Sequence, residues 1–311
     1  MRPPLKPPAL LPGSELAVVS PASPAEPERI ARGLAELSRL GYKPRTPASL
    51  TPDMFFSGTA AHRADDLLAA LSDSQLRAVI CTRGGYGSAT LLDRIAAHPP
   101  ASPRILLGYS DVTALQIFLW QKLGWVTFYG PMIAAGFDAG PGAPSGYDPA
   151  SFQSTLTETR SGWHLELFGK ALVTGSVEGT LLGGCLTLVQ STVGTPWELD
   201  TRDAILVLED VSLKPYQLHR LLLHLRHAGK LAGVRGIILG DFPDSAPPIA
   251  SGPTVADVAR RVLGDLGVPV VFGAPIGHTA RPLLTLPLGV RARLTASGPG
   301  LLDILEPAVS P

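Results

Sequence analysis

Apolar residues along the first 135 positions come in short runs separated by turn-formers. Residues 15–21 (ELAVVSP) predict a short buried strand ending in a turn. Ile30, Leu34 and Leu37 then fall on one stripe, predicting a helix closed by Gly41. A second helix is predicted near 62–71. Residues 76–82 (LRAVICT) predict another buried strand, followed at once by Arg83-Gly84-Gly85-Tyr86-Gly87-Ser88. Ala89, Leu92 and Ile95 mark a helix, 105–107 a strand broken by Gly108, and 112–122 a further helix. Strands alternating with helices imply a parallel sheet covered on both faces.

The rhythm changes between about 136 and 160, where GFDAGPGAPSGYDPA is turn-rich and aperiodic. We therefore divide the chain into an α/β domain over 1–145, a linker over 146–165 and a second domain over 166–311. In the second part 165–175, 177–183, 204–208 and 236–240 predict strands. Leu218, Leu221, Leu222 and Leu225 form a helical stripe.

Composition narrows the function classes. The 311 residues suffice for one large or two ordinary domains, and 45% hydrophobic content excludes wholesale disorder. The 33 glycines and 31 prolines signal many tight turns. Twenty-six basic residues balance 26 acidic ones, which argues against a nucleic-acid partner. No apolar run reaches the ~18–20 residues needed to span a bilayer. Cys81 and Cys185 are too far apart in sequence for a zinc motif and read as buried thiols. The proline-rich start reads as a loose tail on a cytoplasmic protein.

Four segments could carry chemistry. In Gly108-Tyr109-Ser110-Asp111 a strand ends, a glycine permits a sharp turn and a helix begins, which can present a hydroxyl at the mouth of the sheet. Ser110 or Asp111 could equally be a helix cap. The glycines at 84, 85 and 87 can form an amide nest for an anion, or simply a strand-to-helix turn. Glu209 and Asp210 end an apolar strand, either to orient a histidine or as exposed acids. His278 follows Gly277 in a loop free to reach a cleft, or is a structural histidine. His219, His224 and His227 lack a metal-binding spacing and read as a polar helix face.

The chain closely resembles the LD-carboxypeptidase family of serine peptidases, which includes muramoyl-tetrapeptide carboxypeptidases and microcin C immunity peptidases. The resemblance rests on FSGTAAHRADDL at 56–67, RGGYGSATLLDRI at 83–95, LGYSDVTAL at 107–115, TFYGPM at 127–132, EGTLLGGCLTLVQSTVGTPW at 178–197, LVLEDVSLKPYQLHRLL at 206–222 and GHTARPLLTLPLG at 277–289. It implies an N-terminal Rossmann-like (flavodoxin-like) parallel-sheet domain and a C-terminal β-rich, barrel-like α/β domain. It also implies a nucleophile at Ser110, a triad acid at Glu209 and a triad base at His278, with oxyanion donors at the amides of Asp111 and Gly85. Arg83 is considered for a substrate carboxylate, and Tyr86 and Trp197 as aromatic contacts. The implied reaction needs no metal or cofactor. It releases terminal D-alanine from murein tetrapeptide in cytoplasmic peptidoglycan recycling, by a homodimer. The alternatives are cleavage of aminoacyl-nucleotide analogues and an inactive protein that binds a peptide or phosphate. The sequence departs from the family at Cys185, where asparagine is usual, and at Thr279, where glycine is common.

Overall fold

The computed structural model describes residues 3–46 and 51–311. The chain divides into two compact units. One comprises the chain up to Thr159 with Arg281–Pro287 and Ala308–Pro311; the other comprises Arg160–Ala280 and Leu288–Pro307.

The first unit runs β1 (Glu15–Val19), α1 (Pro27–Arg39), β2 (Lys43–Arg45), α2 (Ala60–Ser72), β3 (Ala78–Cys81), α3 (Leu92–Ala97), β4 (Ile105–Gly108), α4 (Thr113–Phe118), β5 (Thr127–Tyr129) and α5 (Pro149–Thr157). Strands β2, β1, β3, β4 and β5 lie side by side in that order, all parallel. This is the flavodoxin-like order, with its switch point between β1 and β3. Every position of β3 and β4 is buried, so these strands read as continuous apolar runs rather than alternating ones. Each fully buried aliphatic side chain contributes roughly 1.5–3 kcal/mol.

Two local expectations change in this unit. Residues 5–10 are not a loose tail: Leu5 N–H donates to the Gly124 carbonyl, Leu10 N–H to that of Leu156, and Leu10 is fully buried. Prolines force extended backbone there, and extended backbone can still pair and bury a leucine. The aperiodic stretch also contains α5, which starts at Pro149 where Asp148 accepts a hydrogen bond from Ser151 N–H. Pro at the first helical position behind an aspartate cap is a start signal that periodicity alone overlooks.

The second unit runs β6 (Trp163–Glu166), β7 (Lys170–Val173), β8 (Gly175–Cys185), α6 (Leu186–Ser191), β9 (Ala204–Glu209), α7 (Pro215–His227), β10 (Gly236–Gly240), α8 (Val255–Leu263), β11 (Val270–Ala274), β13 (Arg291–Ala296) and β14 (Leu301–Ile304), while β12 (Leu286–Leu288), between β11 and β13 in the chain, belongs mainly to the first unit. Strand β12 lies beside β5 in the first sheet; the others form an eight-stranded mixed sheet ordered β6-β14-β13-β8-β9-β10-β11-β7. The predicted single strand over 165–175 is two strands on opposite edges, parted at Phe168, whose φ is 49°. Glu166 and Lys170 are four residues apart, so their Cα atoms lie at most about 14 Å apart. Eight flat strands would hold their edges about 34 Å apart. The sheet must therefore roll on itself. Its centre, β8 to β11, is parallel, and every position of β9 and β10 is buried.

Candidate active site

In the first unit the loops after β1 and β3 meet at the switch point, where parallel sheets gather ligand sites. Ser23 N–H donates to the Gly84 carbonyl, and its Oγ accepts from Tyr86 N–H at 3.1 Å. Ser110 follows β4 at once. Its φ is 64°, a left-handed conformation that a non-glycine residue adopts at a cost of about 1–2 kcal/mol. Its N–H donates to the Tyr129 hydroxyl at 3.2 Å. Its side chain caps no helix, so the capping alternative fails. A methyl group on Gly84 would lie 2.9 Å from Ser110 Oγ, so only glycine lets the loop press against this hydroxyl. Among the described residues, no acceptor takes the Gly85 N–H.

The Asp111 side chain is buried and points back to that loop. Its Oδ2 accepts from Ser88 N–H at 2.8 Å, while its carbonyl accepts from Ser88 Oγ at 2.5 Å. Arg83 is exposed and donates to the Pro24 carbonyl at 3.3 Å. Tyr86 is 56% exposed, with its ring stacked 5.7 Å from Phe56.

In the second unit β9 delivers Glu209 to its carboxyl end, fully buried. Glu209 Oε2 accepts from both His278 N–H and His278 Nδ1, each at 2.8 Å. A carboxylate only accepts, so Nδ1 carries the proton and Nε2 is left for acid–base work. Burial pulls the imidazole pKa down, but the Glu209 charge, its hydrogen bond and the Asp210 charge outweigh this. The net pKa is raised above the ordinary 6.5. Asp210 turns elsewhere, and its Oδ2 accepts from Thr187 N–H and Oγ1 at the start of α6. Adjacent acids of one sequence motif are thus sorted by alternation along the strand end.

Gly277 makes the dyad possible. Its φ is 61°, and a Cβ there would lie 2.2 Å from the Glu209 carboxyl carbon. Gly277→Ala should lower unfolding stability by about 2–4 kcal/mol through left-handed strain and overpacking. Urea denaturation would measure this, and an alanine variant as stable as the parent would refute the contact.

Both departures from the family pattern lie beside this dyad. Cys185 is the register partner of Glu209 across β8 and β9. Burial, then the charges of Glu209 and Asp210, push its thiol well above the ordinary value, so it stays protonated and non-nucleophilic. The Thr279 hydroxyl donates to Asp241 Oδ2, tying the histidine loop to the end of β10. Trp197 is half-buried in the turn-rich segment after α6. Among the other histidines, the His224 ring meets Gln190 of α6 at 3.0 Å.

The first unit thus gathers Ser110, Asp111, Gly85, Arg83 and Tyr86, while the second holds Glu209 with His278, and also carries Trp197. Sequence reasoning did not single out Tyr129, Ser23 or Arg63. Arg63 carried a signal: it falls on the apolar stripe of α2 with Leu67 and Leu71, where a charge must be buried and satisfied.

The profile of the LD-carboxypeptidase N-terminal domain matches residues 16–130, and that of the LD-carboxypeptidase C-terminal domain matches 178–294. A probable murein peptide carboxypeptidase of Bacillus subtilis is 34% identical, over 94% of this chain and 92% of its own. The solved structure of the microcin C7 self immunity protein MccF superposes with a TM-score of 0.86 at 28% identity, covering 99% of this chain and all of that one. The muramoyltetrapeptide carboxypeptidase of Oxalobacter formigenes gives 0.80 at 28% identity, over 96% of this chain and all of its own. With both domain profiles matched in order and a full-length relative above 30% identity, the chain belongs to the LD-carboxypeptidase (S66) family and is a serine carboxypeptidase.

Proposed function

We propose that this protein releases the terminal D-alanine of murein tetrapeptide through an acyl-enzyme formed on Ser110. His278 Nε2 takes the Ser110 proton as Oγ attacks the scissile carbonyl. Glu209 holds the ring by its Nδ1 proton and stabilises the imidazolium. The Gly85 and Asp111 amides receive the oxyanion; one such donor is commonly worth about 3–4 kcal/mol. The imidazolium then protonates the leaving amine, and water, activated by the same histidine, releases the acyl group. Arg83 offers a planar cation for the terminal carboxylate. The nucleophile thus comes from the α/β part of the chain and the acid–base pair from the β-rich part.

The observation that carries the reading is the two-point contact between the fully buried Glu209 and the partly buried His278. A structural histidine does not require a fully buried acid seated under a left-handed glycine. The murein substrate is supported by the names of the Bacillus and Oxalobacter relatives. With it goes a role in cytoplasmic peptidoglycan recycling as a homodimer. No helix among the described residues is long and apolar enough to cross a membrane.

Incubation with murein tetrapeptide and mass analysis of the products tests the reading: loss of one D-alanine is expected, and intact peptide would overturn the substrate. A second reading, cleavage of aminoacyl-nucleotide analogues, is favoured by the likeness to MccF and by the exposed ring of Tyr86, which could stack on a base. Aminoacyl-sulfamoyl adenylate in a parallel incubation separates the two. A binding protein without turnover would leave both intact and fail to react with a fluorophosphonate at Ser110.

A further inference from the structure

The most unusual buried group outside the proposed triad is Arg63. Only 1% of it is exposed, and among the described residues it makes no ion pair within 4.0 Å. Its fork serves three loops instead. Nε donates to the Gly58 carbonyl at 2.9 Å, Nη1 to those of Pro21 at 2.5 Å and Gly87 at 3.0 Å, and Nη2 to Thr90 Oγ1 at 3.1 Å. The guanidinium carbon also sits 4.6 Å from the Phe56 ring centroid. A buried cation without a paired anion is costly, and well-packed apolar residues often replace buried charges without loss. Holding three loops by their carbonyls explains why a guanidinium stands there, because no ammonium can span such a fork.

One of those contacts reaches towards Ser110. The Gly87 carbonyl and the Ser88 N–H belong to one peptide group. Arg63 donates to its oxygen, while the buried carboxylate of Asp111 accepts from its N–H at 2.8 Å. A single peptide plane is therefore clamped between a buried cation and a buried anion. The Ser88 hydroxyl adds a second tie, to the Asp111 carbonyl. The Gly85 amide lies two residues before the clamp, and the Asp111 amide belongs to the residue that forms its other jaw.

We propose that Arg63 is a positioning residue for the oxyanion-binding amides, acting through the Gly87–Ser88 peptide and Asp111. This rests on the assignment of Ser110, Gly85 and Asp111 made above. Misplacement of such donors by about 1 Å costs up to about 100-fold in rate, because their benefit depends on where the charge develops.

The test compares the purified parent with Arg63→Lys and Arg63→Met, at a temperature where thermal unfolding shows each to be folded. A fluorophosphonate probe measures the rate of Ser110 labelling, and D-alanine release gives kcat and KM. Labelling and kcat should fall about 10- to 100-fold in Arg63→Met, and less in Arg63→Lys, with KM changed less than about twofold. A residue that merely stabilises the fold would lower the melting temperature without this split. Folded Arg63→Met labelled within twofold of the parent would overturn the proposal while leaving the Ser110 assignment standing. Failure to label the parent itself would overturn that assignment, and this proposal with it. Should Arg63→Met not fold, Arg63→Lys carries the test alone, because an ammonium cannot hold all the acceptors of the fork: a labelling rate at least about fivefold lower supports the proposal, and an unchanged rate overturns it.

Discussion

Ser110→Ala will yield a folded protein with no measurable turnover, and the loss will exceed about 10⁴-fold. The reason is chemical: the proposed acyl-enzyme forms on its Oγ, which the left-handed turn holds beside Gly84. The backbone adds a sharper form of the test. At φ 64° serine carries strain that glycine does not. Ser110→Gly should therefore be inactive yet more stable than the parent, by about 0.5–1 kcal/mol in urea denaturation. Strain kept at a residue whose removal stabilises the fold is a mark of function. If Ser110→Ala keeps full activity, the nucleophile is elsewhere.

Glu209→Gln should cost about 10⁴-fold in kcat at neutral pH, by analogy with loss of the acid in other triads. The carboxylate receives both donors, His278 N–H and Nδ1, on the single oxygen Oε2, where a glutamine places either a neutral carbonyl oxygen or its NH2. Its amide can then donate to Nδ1, which would place the ring proton on Nε2, the wrong nitrogen for taking a proton from serine. The pH dependence has a defined sign. The folded His278 pKa is raised, so the pair adds stability that is complete below the ordinary value near 6.5 and is lost as pH rises through the folded value. In the variant that pH-dependent part should flatten. The base must be neutral to act, so the acid limb of kcat/KM in the parent should lie above 6.5 and move down in the variant. An acid limb at the same pH in both proteins would show that Glu209 does not set it.

The alternation of strands and helices in the first half was legible because parallel strands buried on both faces leave uninterrupted apolar runs, such as 105–107 before Gly108. The segment over 165–175 was not legible as two strands. Both pieces have strand-like composition, and the break at Phe168 carries a local signal only in Gly169 beside it, which periodicity alone passes over. Candidate positions in Gly-Tyr-Ser-Asp and Leu-Glu-Asp could be found from strand ends, but not ranked. Which acid turns toward His278 and which caps α6 depends on what each strand face meets.

By itself the sequence determined the class of fold, the residues able to do chemistry and the family, because short-range periodicity and motif order are local properties. Only the tertiary structure decided the left-handed turn at Ser110, the roll of the second sheet and the separate roles of Glu209 and Asp210. It also placed Arg63 under three loops. Each of these depends on contacts between residues distant along the chain, and burial turns such contacts into requirements because a buried polar group must find a partner.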